Sequence, residues 1–102
     1  MADRIYRLKR IHNIMDIMWR RQLRHVASLD ARLSDTSQAE LKTIDQMGCN
    51  IPVELAMSRL RLLHPQRLHL EDEIINEKTR AKATGLKLKL LGKFIANLGA
   101  ES

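Results

Sequence analysis

Residues 48–52 read Gly48-Cys49-Asn50-Ile51-Pro52, and they separate two stretches that each read as helix throughout. Gly48 is free to take the left-handed conformation that closes a helix. Pro52 suits the first turn of the next helix, where its missing N–H costs nothing. Asn50 is the expected cap, and Glu54 puts negative charge near the new N-terminus. Upstream, from about Asp3 to Met47, there is neither Gly nor Pro. Downstream, a second helix is expected from about residue 53 to residue 98, with Gly99 ending it. Two helices joined by so short a turn make an antiparallel αα-hairpin. The expectation is one all-α domain over residues 1–102: helix at about 3–47, turn at 48–52, helix at about 53–98.

Apolar spacing sets the packing. In the second stretch take Val53, Ala56, Leu60, Leu63, Arg67, Leu70, Ile74, Glu77, Ala81, Thr84, Leu88, Leu91, Ile95 and Leu98. The steps alternate three and four without a slip, and eleven of the fourteen are apolar, which is a coiled-coil seam. The first stretch follows with Ile5, Leu8, His12, Met15, Trp19, Gln22, Val26, Leu29 and Leu33. After Leu33 the seam shifts by one residue to Ser37, Leu41 and Ile44, so a stutter is expected there. Folding at the turn brings together seam residues whose numbers add to about 100: Ile5 with Ile95, Leu8 with Leu91, Trp19 with Ala81, Val26 with Ile74. Pro65 falls on the outward face and is expected to kink the second helix, the alternative being a break there that starts a third helix and allows a short three-helix bundle.

Composition excludes several classes. Gly is 4 and Pro is 2 in 102 residues, too few turn formers for a many-stranded sandwich or barrel. Charged residues are 29% and apolar residues 44%, which suits neither a disordered chain nor a membrane protein. One cysteine, Cys49, excludes a disulfide framework and a thiolate zinc site, and fits a reducing cytoplasm. The opening MADRIYRLKR has no apolar core, so no secretory signal peptide is expected.

Chemistry-bearing patterns are absent. His12, His25, His64 and His69 lack metal-site spacing, and Cys49 has no His or cation close in sequence to activate its thiol. Glu71-Asp72-Glu73 with Glu77 reads as a solvated helix surface, because consecutive helical residues point in different directions. No phosphate loop, dinucleotide fingerprint or nucleophile elbow occurs, and Gly85 and Gly92, seven apart, read as points of close helix approach. No catalytic residue, cofactor or metal is expected, and the chain is expected not to be an enzyme.

Charge position says more. Lys plus Arg is 18 against 12 Asp plus Glu, a net charge of +6. Residues 1–24 carry seven cations against Asp3 and Asp16, and residues 78–93 carry six with no acid. Residues 25–77 balance to −4, from five cations against nine acids. A hairpin therefore gathers its cations at the terminal end, which calls for an acidic partner there. An acidic protein is the first expectation. Nucleic acid is the alternative, weakened because Tyr6 and Trp19 are too few for stacking platforms. A homodimeric helical scaffold is a further alternative, since Ile14 with Met18 and Leu86 with Leu90 add apolar positions off the seam. No membrane insertion is expected.

A short chain opening R-I-Y-R-L-K-R-I, turning once and returning through S-R-L-R-L-L and L-E-D-E-I into a basic arm resembles the FliJ/YscO group. These are the central stalk proteins of flagellar and type III secretion export. The resemblance implies a cytoplasmic two-helix coiled coil whose terminal end inserts into the centre of the hexameric export ATPase. It implies that the protein promotes hexamer assembly, couples the ATPase to the export gate, and binds export chaperones. On that mapping Arg4, Arg7, Arg10, Arg21, Lys82, Lys89 and Lys93 would face an acidic ring lining, leaving Gly48 to Arg61 for a second partner.

Overall fold

The computed structural model describes residues 2–101. Helix α1 spans Ala2–Gln46 and helix α2 spans Val53–Glu101, an all-α helical hairpin. At the turn, Gly48 has φ of 80°, and its N–H donates to the Ile51 carbonyl at 2.8 Å. The backbone N–H groups of Cys49, Asn50 and Ile51 all donate to the Gln46 carbonyl at 3.1–3.2 Å. Asn50 thus serves the end of α1 through its backbone, and the expected side-chain cap on α2 is not formed. Pro52 directly precedes α2 and accepts its first-turn bond, from the Ala56 N–H at 3.0 Å. Helix α2 runs unbroken through Pro65, which is exposed, and continues past Gly99 to Glu101. A proline on the solvent side removes one backbone bond where water can replace it.

Contacts divide the chain into two compact units. Unit 1 is Met1–His25 with Glu77–Ser102, and unit 2 is Val26–Asn76. In unit 2, Leu29 is 1% exposed and packs with Leu70, Ile74 and the half-buried Leu33. Ala56, at 0% exposure, allows close approach near the turn. The expected shift after Leu33 does not occur. Leu41 is 62% and Ile44 51% exposed, while Thr36, Glu40, Thr43 and Met47 turn inward on the unshifted seam.

The reason is polar matching within that seam. Arg67 sits on the seam of α2, and its Nε donates to both carboxylate oxygens of Glu40 at 3.1 and 3.0 Å. Its Nη1 donates to Glu71 at 2.8 Å, and its Nη2 lies 3.1 Å from His64 Nδ1. Hydrogen bonding to Glu71, and then to Glu40, holds the guanidinium pKa above its ordinary value. Thr36 and Thr43 donate their hydroxyls to the Arg32 and Ala39 carbonyls one turn back, at 2.9 and 2.7 Å. Their methyl groups are then left to pack. A cation facing inward outweighs two leucine-like residues facing out, because an unpaired charge there costs more than exposed apolar surface.

In unit 1 the seam positions expected in both helices are buried or half-buried, from Ile5 to Gln22 and from Glu77 to Leu98. The register differs from expectation. A Cβ on Gly85 would meet Trp19 Nε1 at 3.0 Å and Cε2 at 3.3 Å, and one on Gly92 would meet His12 Nε2 at 3.4 Å. Facing numbers therefore add to 104 (19 with 85, 12 with 92), one helical turn beyond the expected sum of about 100. Trp19 packs against Gly85. An indole needs the space that a missing Cβ leaves, and Gly85 and Gly92 repeat at the same interval of seven as His12 and Trp19. Gln22 is the weak point of this layer stack: its Oε1 is buried without a hydrogen-bond partner among the described residues.

This packing gives a direct test. Gly85→Ala adds helix propensity, but its methyl group forces the rigid indole aside. It is expected to lower the melting temperature and shift Trp19 emission. Gly99→Ala meets nothing within 4 Å and should instead stabilise, by up to about 1 kcal/mol. Equal gains at the two positions would show that Trp19 does not depend on Gly85.

Candidate partner-binding surface

Label the inward positions a and d, with Ile5, His12 and Trp19 at a in α1 and Ala81, Leu88 and Ile95 at a in α2. Positions e and b then lie on the flank beside a, positions g and c on the flank beside d, and f points outward. In an antiparallel pair, like flanks meet. Unit 1 bears this out: Lys9, His12, Asn13, Gly92 and Ile95, from the a, b and e positions of both helices, line one shallow groove of about 270 Å³.

The cations gather in unit 1. It carries thirteen Lys and Arg against Asp3, Asp16, Glu77 and Glu101, a balance of +9. Unit 2 carries five cations against eight acids, a balance of −3. All thirteen cations of unit 1 are exposed. Arg20 pairs with Asp16 at 3.2 Å and Arg80 with Glu77 at 3.1 Å. Among the described residues the other eleven form no ion pair.

The seven residues singled out from sequence are all exposed in unit 1, but they do not form one patch. Arg4, Arg7 and Arg21 fall at g and c positions. Lys82 and Lys89 fall at b, on the opposite flank. Arg10 and Lys93 fall at f, facing outward. Lys9 and Lys78 join the e flank, Lys87 the g flank and Arg24 the outer face. These four belong to the same basic stretches, and heptad position is the signal that places them. The result is a helix pair with unpaired positive charge on every side.

Unit 2 differs. An open groove of about 520 Å³ is lined by Ala39, Thr43, Leu62, Leu63, Arg59 and Gln66 among others. Cys49 is exposed in the turn. Among the described residues, no group of three or more His, Cys, Asp or Glu is arranged to hold a metal ion. Among the described residues, no helix is long and apolar enough to cross a membrane. Comparison with protein-family models, curated proteins and solved structures found no match.

Proposed function

We propose that this chain is a non-enzymatic coiled-coil stalk or adaptor that binds a hexameric secretion ATPase, of the flagellar or type III export kind, in the cytoplasm. Its basic unit would dock on acidic surface of the ATPase and promote its activity. The observation that carries this reading is the all-round distribution of unpaired cations in unit 1. Duplex nucleic acid or a lipid headgroup layer approaches a helix pair from one side and neutralises the cations of that side. A ring that surrounds the pair meets all of them. Long-range attraction between +9 and an acidic lining would also speed and orient insertion. The resemblance to the FliJ/YscO group supplies the identity of the ring, and the export gate and export chaperones as further partners.

The test is ATP hydrolysis by the purified export ATPase of the source genome, with increasing amounts of this protein. Stimulation that rises and saturates, together with co-sedimentation, is the expected result. No stimulation and no co-sedimentation would remove the reading. Retention of duplex DNA with a steep salt dependence, on the order of one unit of log K per phosphate neutralised, would move the assignment to nucleic acid.

A further inference from the structure

The two flanks of unit 1 differ in character. On the g flank, α1 presents Arg4, Arg7, Ile11, Ile14, Met18, Arg21 and His25 at alternating steps of three and four. Ile11, Ile14 and Met18 are 47%, 52% and 50% exposed, a second apolar stripe outside the seam. On the same flank α2 presents Leu90 and Phe94, 57% and 47% exposed. The observed register sets Leu90 level with Ile14 (numbers adding to 104), so the exposed apolar residues of both helices share one flank at the same height. Cations bound it at both ends: Arg4 and Arg7 at one, Arg21, His25 and Arg80 at the other, with Lys87 beside Met18.

We infer that this face is the seat of an amphipathic helix from a protein partner, one with a central apolar stripe and Asp or Glu toward both ends. Such a helix would lie along the groove between α1 and α2 and complete a three-helix layer, its apolar residues reading i, i+3 or i+4, and i+7. The face from Arg4 to His25 covers about 32 Å, which a partner segment of about 21 residues spans. Charge selects the occupant. A second copy of this chain would set cations against cations whichever way it lay, at +9 per unit 1. An acidic helix pairs the exposed guanidinium groups and covers the apolar centre together. The inference rests on the adaptor reading insofar as that reading calls for a protein partner, and it names the chemistry that partner presents.

The probe is a labelled helical peptide of about 21 residues, with leucines at heptad spacing in its centre and glutamates toward both ends, read by fluorescence anisotropy against the full chain. The acidic peptide is expected to bind. A peptide with Lys in place of Glu, and one with Ser in place of Leu, should bind at least about tenfold more weakly. In the protein, Ile14→Ser with Leu90→Ser should weaken binding by about tenfold or more with helicity unchanged, as should Arg7→Glu with Arg21→Glu. Ile17→Ser is the control, since Ile17 is 52% exposed but at an outward position, and should change nothing. Equal binding by the serine pair or by the Lys peptide would overturn the inference. So would a dimer in sedimentation that Ile14→Ser dissolves, or binding to phosphatidylserine vesicles without binding to the peptide. The two proposals fail separately. Loss of ATPase stimulation with the peptide still bound removes only the stalk, and stimulation untouched by the serine pair with no peptide bound removes only this face.

Discussion

Leu29→Ala is expected to destabilise the protein by about 2–5 kcal/mol, read as a fall in the urea midpoint followed by helicity. Leu29 is 1% exposed and is the one large side chain of the chain buried to that degree among the described residues. Its neighbours Leu70 and Ile74 come from the facing helix, and Leu33 from the next turn of its own. Removing its terminal carbons takes away the contacts that join the two helices of unit 2 at their driest layer. A small domain has only about 5–15 kcal/mol in hand, so this is a large share of the total. Leu41→Ala is the paired measurement. Leu41 is 62% exposed, and its truncation should cost within about 0.5 kcal/mol. Comparable losses at the two positions would put Leu41 in the seam and return the seam to the shifted path that hydropathy suggests.

That contrast marks where sequence reading succeeds and where it stops. The α2 seam was legible from Ala56 to Leu98 because fourteen positions in alternating steps of three and four leave no rival phase, and only the first of them, Val53, lies exposed. The turn was legible because Gly48 and Pro52 each permit one local role. Past Leu33 the apolar residues pointed the wrong way. Leu41 and Ile44 are more apolar than Glu40 and Thr43, yet the latter pair faces inward. Arg67, a cation already on the α2 seam, needs a charged partner opposite it. Only an acid answers, and Glu40 lies on the unshifted path. The register sits one layer from a count made back from the turn, for a similar reason. Counting back from the turn assumes that the helices end level, whereas the bulky residues Trp19 and His12 choose the layer where Gly85 and Gly92 make room. Of the candidate surface, the amount of positive charge was legible and its arrangement was not. A sum along the chain cannot separate the flank bearing Lys82 and Lys89 from the one bearing Arg4, Arg7 and Arg21. The apolar stripe between Arg7 and Arg21 appears only after the seam has claimed its own residues.

The largest effect on binding is expected from reversing Arg7, Arg10, Lys82 and Lys89 to Glu together. Each reversal changes the charge by two, so the chain goes from +6 to −2 and unit 1 from +9 to +1. The four positions cover the g flank, the outer face and the b positions, so no side of the pair keeps its full complement of charge. Exposed charge contacts are worth about 0.2–1 kcal/mol each, and reversal replaces attraction with repulsion of similar size. Four reversals then cost on the order of 4 kcal/mol, or close to three orders of magnitude in affinity for an acidic partner. Helicity should survive, because all four side chains are exposed and none forms an ion pair among the described residues. The decisive readout is stimulation of the export ATPase at about 0.15 M salt, where the Debye length near 8 Å screens distant charges and leaves direct contacts. Loss of stimulation with helicity intact would tie function to the cations of unit 1. Undiminished stimulation would mean that the partner does not read the cations of unit 1, and would count against the charged ends of the g-flank face as well, since Arg7 bounds it.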